Sequence, residues 1–271
     1  MGIMEENKEK EIFCLQYELK TLSEIVFKDE AERWVYGFMH KITEEEHLDR
    51  YSFVLDKVKN KRVLDIACGS GYGSFLLATK GNAEKVVGVD LDSEAIKYGE
   101  YKYPHEKIKR IVADATKFHD SELFDVIVSF ETIEHVPDYN LLLENYSNLL
   151  KPDGVLFIST PITKETTKTP HNPYHVIEWS FFDFQSLINE RFTINEVYLQ
   201  NVINRNKEQY VTPSLPIRAY NKLIRTFFSK KYKLPFYPPE FIKGQKFEKF
   251  AGQYDMNDSI KGYQMVVAHK V

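Results

Sequence analysis

Along the middle of the chain, short apolar runs alternate with stretches in which apolar residues recur every three or four positions. Runs at 62–67, 85–89, 108–112, 125–130 and 155–159 read as strands. Between and around them the other spacing predicts helices at 44–57, 72–80, 93–101, 139–149 and near 181–188. The first of these carries Leu48, Tyr51, Val54, Leu55 and Val58, a face that would pack on a sheet. Such alternation predicts an α/β fold whose parallel sheet is wound with helices on both faces. Two later runs, Phe192–Leu199 and Gly262–His269, read as a closing antiparallel hairpin. About 60 residues separate them, too many for a hairpin loop, so an insertion is expected there. Four regions follow: a helical N-terminal cap at 1–47, a core at 48–200, an insertion at 201–261 and a last core strand at 262–271.

Composition narrows the class without choosing the chemistry. The chain has 271 residues and is 43% hydrophobic, enough for a sizeable core. Its net charge of -4 leaves no broad basic field for nucleic acid. No run of eighteen apolar residues occurs, and the N-terminus is charged from Glu5 to Glu11, so the expectation is a cytoplasmic protein with no membrane insertion. Cys14 and Cys68 make neither a disulfide framework nor a metal knuckle. The insertion interleaves Pro213, Pro216, Pro235, Pro238 and Pro239 with ten aromatics between Tyr210 and Phe250, and a short helix is expected at 217–229. It reads as a substrate lid, or equally as a structural or homodimer-forming elaboration.

The chemistry begins where the first strand runs into Cys68-Gly69-Ser70-Gly71-Tyr72-Gly73. Glycines there permit backbone angles that side chains forbid and a close approach to a ligand. A dinucleotide fingerprint would need glycine at 74 and meets Ser74, and Asp65 beside the loop would repel a pyrophosphate. A cationic ligand suits that carboxylate, and S-adenosylmethionine carries both an ammonium and a sulfonium. The segment from Asp65 to Gly73 resembles motif I of the class I S-adenosylmethionine-dependent methyltransferases. The likeness continues through the strand ending in Asp90, the Ala113-Asp114-Ala115 segment, Phe124–Phe130 and Leu149–Ser159. It implies a Rossmann-like, doubly wound, seven-stranded sheet and a cofactor held by Asp65, Gly69, Ser70, Gly71, Asp90, Leu91, Asp114, Ala115 and Phe130. Asp90 would take the ribose hydroxyls and Asp114 the adenine amino group. Arg50 and Tyr51 stand where relatives meet the methionine carboxylate, although Tyr51 also fits a packed helix face.

After the fourth strand comes Glu131-Thr132-Ile133-Glu134-His135. On one helical turn Glu131, Glu134 and His135 would converge, and two carboxylates with an imidazole suit a divalent cation such as Mg or Mn. His135 would alternatively serve as a metal-free general base. The Glu-x-x-Glu-His pattern resembles the metal site of the ubiquinone-pathway O-methyltransferases and of small-RNA 2'-O-methyltransferases. The latter likeness implies His175, in His175-Val176-Ile177-Glu178-Trp179, as a fourth ligand. His171 and Tyr174 on the same loop are candidate substrate contacts or turn builders. The overall layout is similar to bacterial methyltransferases of surface-polysaccharide clusters, which implies a sugar or nucleotide-sugar acceptor. A catechol or other phenol, an amino sugar and an RNA 2'-hydroxyl remain alternatives, as do a dinucleotide oxidoreductase and a module that binds the cofactor without catalysis.

Overall fold

Strand β1 (Arg62–Ile66) is buried at all five residues and lies at the centre of a sheet, flanked in parallel by β2 (Lys85–Asp90) and β4 (Phe124–Phe130). In a computed structural model, which describes residues 2–28, 35–37, 41–204, 247–252, 256 and 259–270, the chain builds outward from this strand. β3 (Ile108–Val112) pairs in parallel with β2, and β5 (Leu150–Thr163) with β4. β9 (Ser259–Lys270) then runs antiparallel between β5 and β7 (Phe192–Asn204). The path is β3-β2-β1-β4-β5-β9-β7, the expected seven strands. Among the described residues two further strands of two residues each add to it, β6 (Trp179–Ser180) beside β5 and β8 (Glu248–Lys249) beside β7.

Helices cover both faces, as the alternating pattern requires. On one side α3 (Tyr72–Thr79) and α2 (Lys41–Val54) close a core of Tyr51, Val54, Val63, Leu77, Val128 and Phe157. On the other, α5 (Tyr139–Leu149) and α6 (Phe181–Asn189) close a core of Leu64, Ile127, Tyr146, Ile158, Phe184 and Val266. α4 (Ser93–Lys102) carries the N-terminal helix α1 (Gly2–Lys28): Tyr17 stacks on Tyr98 at 4.6 Å between ring centroids, and buried Glu18 accepts from Tyr98 Oη at 2.8 Å and Lys102 Nζ at 2.6 Å. No helix among the described residues is long and apolar enough to cross a membrane.

Four elements differ from the expectation in their bounds. The strand expected at 155–159 starts at Leu150, because Lys151-Pro152-Asp153-Gly154, which looks like a turn, is taken up as an irregularity while Phe124 pairs Leu150 and Val126 pairs Val155. The helix expected at 44–57 runs instead from Lys41 to Val54, although Val58 beyond its end is still buried. β7 continues to Asn204 and β9 starts at Ser259, so the long connection is shorter than the sequence spacing implies. Its expected helix at 217–229, and its prolines and aromatics from Tyr210 to Phe241, lie outside the described residues.

Candidate active site

The carboxyl ends of β1, β2 and β3 present the residues expected to hold the cofactor. Leaving β1, the backbone is left-handed at Ala67 (φ 53°), Gly69 (φ 53°) and Gly71 (φ 81°), a tight reversal that opens α3. The Gly69 N–H donates to Asp90 Oδ2 at 2.8 Å and the Asp92 N–H to Asp90 Oδ1 at 2.9 Å. Asp90 therefore ties the glycine loop to the end of β2 and is fixed in one orientation. A Cβ built on Gly69 would meet nothing within 4 Å, so this side of the loop is open. Leu91 beside it is exposed, while Ser70 is buried.

Asp65 lies beneath the loop, 1% exposed. Its two oxygens accept from Tyr51 Oη at 3.0 Å and Ser74 Oγ at 2.6 Å. Burial pushes its pKa up to about 6, against the pull of those two hydrogen bonds. The Tyr51 hydroxyl is driven well above its ordinary range by burial and by Asp65. The Tyr51 ring packs edge-on against Phe130 and so close to Gly73 that a Cβ there would stand 2.0 Å from its Cζ. Tyr51 is thus packed under the loop, the second of the two roles its position allowed. Ser74, the residue that breaks the dinucleotide fingerprint, is the second anchor of Asp65. Just beyond β3, Asp114 accepts from the Thr116 N–H and hydroxyl at 2.9 and 2.7 Å, which hold its pKa below the usual range. The Ala115 carbonyl accepts from Asn145 Nδ2 at 2.8 Å.

A second cluster forms where β4 ends against β5. The sequence spacing predicts one helical turn gathering Glu131, Glu134 and His135; the structure corrects this. Glu131 is left-handed (φ 50°) and only Ile133–His135 form a 3₁₀ turn, so the three residues do not share a helical face. Their carboxylates are instead held by consecutive residues of β5. Ser159 Oγ donates to Glu131 Oε1 at 2.7 Å, and Thr160 Oγ1 to Glu134 Oε2 at 3.2 Å. Successive residues of a strand face opposite sides, so the two acids are anchored from opposite faces of β5 while remaining close enough for Glu131 to act on Glu134. Glu131 lies toward buried Arg50, whose guanidinium donates to Gln200 Oε1 at 2.6 Å and sits 4.8 Å from the Tyr263 ring centre.

Glu134 joins a different group. Ligand atoms of Glu134, His135 and His175 all lie within 4.8 Å of one another, and the two imidazoles meet edge to face. The loop carrying His175 is pinned by the Val176 N–H, which donates to the Glu134 carbonyl at 2.8 Å. His175 Nδ1 faces Glu178 Oε1 at 2.6 Å while Nε2 faces Asn172 Nδ2 at 2.9 Å. A carboxylate accepts and an amide nitrogen donates, so the network assigns the proton to Nδ1 and the lone pair to Nε2. His135 Nδ1 lies 3.1 Å from the Tyr174 carbonyl and takes the same tautomer. Ring N–H groups committed to a carboxylate or carbonyl are the usual setting of metal-binding histidines. Glu134 is 0% exposed, its Oε1 has no hydrogen-bond partner, and burial followed by the nearby Glu131 raises its pKa well above the carboxylate range. A buried, unpaired oxygen beside two imidazoles is the donor set a divalent cation satisfies. Sequence reasoning missed Glu178 and Tyr174 as partners of the histidines, and Ser159 and Thr160 as partners of the acids. The i,i+3 spacing of His175 and Glu178 was the one signal available for them.

Comparison with known proteins decides the family. The family described as "Methyltransferase domain" matches residues 57–210. The chain belongs to this methyltransferase family. The chain is 30% identical over 141 residues to a probable S-adenosylmethionine-dependent methyltransferase of Mycolicibacterium smegmatis, covering 51% of this chain and 54% of that protein. Over 122 residues it is 37% identical to a ubiquinone biosynthesis O-methyltransferase of Glaesserella parasuis, covering 41% and 51%. The chain thus spans about half the length of the curated relatives it matches. Among solved structures, the N-methyltransferase NodS of Bradyrhizobium japonicum in complex with S-adenosyl-L-homocysteine superposes with a TM-score of 0.56 over 95% of this chain and 98% of that one, at 14% identity. That likeness is one of fold alone.

Proposed function

We propose that this protein is an S-adenosylmethionine-dependent O-methyltransferase that methylates a sugar hydroxyl, on a nucleotide-linked monosaccharide or at a glycan end, with a divalent cation such as Mg or Mn held by Glu134, His135 and His175. The observation that carries the cation is the unpartnered Glu134 Oε1 beside two histidines whose Nδ1 atoms are already committed; at His175 the cation would take the Nε2 lone pair in place of the Asn172 amide. A cation there would lower the pKa of an acceptor hydroxyl and fix its orientation. The methyl donor brings its own activation through the sulfonium, so the protein's share is mainly positioning.

The residues divide that work. Asp90 offers a fixed carboxylate to the ribose hydroxyls, and Gly69, Ser70 and Gly71 keep the loop open to the donor. Leu91, Asp114 and Ala115 line the neighbouring strand ends, where the adenine would lie. Asp65 adds a buried negative charge that favours a cationic donor, and Tyr51 and Phe130 support it from below. His135 contributes a lone pair on Nε2, for the cation or as a base toward the acceptor proton. Glu131, held by Ser159 and compensated by Arg50, adds negative charge behind the cation without joining the three ligands.

The relatives named as ubiquinone biosynthesis O-methyltransferases favour a second reading, a catechol in place of a sugar diol, because both offer adjacent oxygens. Methyl transfer from labelled S-adenosylmethionine to nucleotide sugars, catechols and short RNAs, each with EDTA or with added Mn, separates these. Transfer to a sugar that EDTA abolishes is the expected result. Transfer only to catechols would replace the acceptor, and transfer that survives EDTA would leave His135 as a metal-free base.

A further inference from the structure

Thr160 and Gln264 stand directly opposite each other where β5 pairs antiparallel with β9. Opposed residues of an antiparallel pair send their side chains to the same face. That face is apolar around them, carrying Ile158, Ile162, Leu199 and Val266. On it Thr160 Oγ1 donates to Glu134 Oε2. Gln264 is 0% exposed, and neither its Oε1 nor its Nε2 has a hydrogen-bond partner. Glu134 Oε1 is in the same condition. A primary amide and a carboxylate oxygen, both buried and both idle, therefore flank one threonine. An amide removed from water with no partner loses its hydration and gains nothing, and a leucine of similar size would avoid that loss.

We propose that Gln264 is a positioning residue for Glu134: its amide partners Glu134 Oε1, directly or across one buried water. Thr160 and Gln264 then hold the two carboxylate oxygens from adjacent strands and fix the rotamer that faces His135 and His175. A water is compatible with the site, because it would have the carboxylate and both ends of the amide as partners. Nothing in the sequence pattern marks Gln264, which reads as a polar interruption in a core strand. The pairing itself does not depend on a cation; its consequence for cation affinity rests on the reading of Glu134 as a ligand.

The test is a double-mutant cycle of urea unfolding in EDTA, with Gln264→Leu, Glu134→Leu and the double variant. If the amide serves Glu134, Gln264→Leu lowers the unfolding equilibrium stability in the wild-type background and raises it in the Glu134→Leu background. The two effects should then differ by about threefold or more in the equilibrium constant. Equal stabilisation in both backgrounds would overturn the pairing. Mn titration of the folded Gln264→Leu protein supplies an independent reading that does not need the Glu134 variant to fold. Affinity about tenfold weaker than wild type is expected, with adenosylhomocysteine affinity unchanged. Unchanged Mn affinity would remove Gln264 from the site. A wild-type protein that fails to bind Mn would instead defeat the cation reading of Glu134, and the unfolding cycle would still decide the pairing.

Discussion

Asp65 shows what a single buried charge does to this chain. Its folded pKa of about 6 lies above the ordinary carboxylate value, so between about pH 4 and 6 the folded protein binds its proton more tightly than the unfolded one. Stability is therefore lost as pH rises through that window, by roughly 3 kcal/mol for a shift of about two units. Asp65→Asn should remove this loss: denaturant melts of the ligand-free protein are expected to show little difference below pH 4 and a gain of a few kcal/mol for the variant by pH 7. A difference that stays constant with pH would contradict the assignment. The same variant should bind S-adenosylmethionine more weakly, because the charge it removes is the one that favours a cationic ligand. Glu134 gives a second pH dependence. Its raised pKa means that a cation must displace a proton there, so Mn affinity should rise with pH and release protons on binding, measurable by titration in buffers of different ionisation enthalpy.

At the scale of elements, the chain announces its sheet clearly and its site only in part. β1 and α5 fall where the apolar spacing put them to within a residue, because buried parallel strands and amphipathic helices each leave a pattern in consecutive residues. β5 does not, since Pro152 and Gly154 carry turn chemistry that the pairing with β4 overrides. The acids at 131 and 134 were legible as chemistry, but their partition was not. It depends on a left-handed backbone at Glu131 and on which face of β5 Ser159 and Thr160 occupy, and neither is written in local spacing. The docking of α1 is another long-range fact, resting on Glu18 reaching Tyr98 and Lys102 across the sequence. Glu18→Ala leaves the buried Tyr98 hydroxyl without its acceptor and should cost about 1–3 kcal/mol. Hydrogen exchange is expected to quicken across α1 while the strands β1 and β4 keep their protection; uniform acceleration would mean that α1 is not a separable element.

For the whole molecule, the doubly wound sheet gathers two half-sites at one end of its strands. β1, β2 and β3 present the residues proposed to hold the cofactor, and β4 with the loop after β5 presents the Glu134, His135 and His175 group. The halves share no side chain: Asp90 bonds to the glycine loop, while Glu134 is held by Thr160. They should therefore fail independently. Asp90→Ala is expected to weaken adenosylhomocysteine binding by tenfold or more while cation binding persists, since Asp90 touches nothing in the triad. The measurement that tests the two-half account most directly is calorimetric titration of the EDTA-dialysed protein with Mn and, separately, with adenosylhomocysteine. Wild type, Glu134→Ala and His175→Ala would be compared. One bound Mn per wild-type chain, lost in both variants with adenosylhomocysteine affinity held within about twofold, is the expected result. Mn binding that persists in both variants, or that is absent from the wild type, would contradict it.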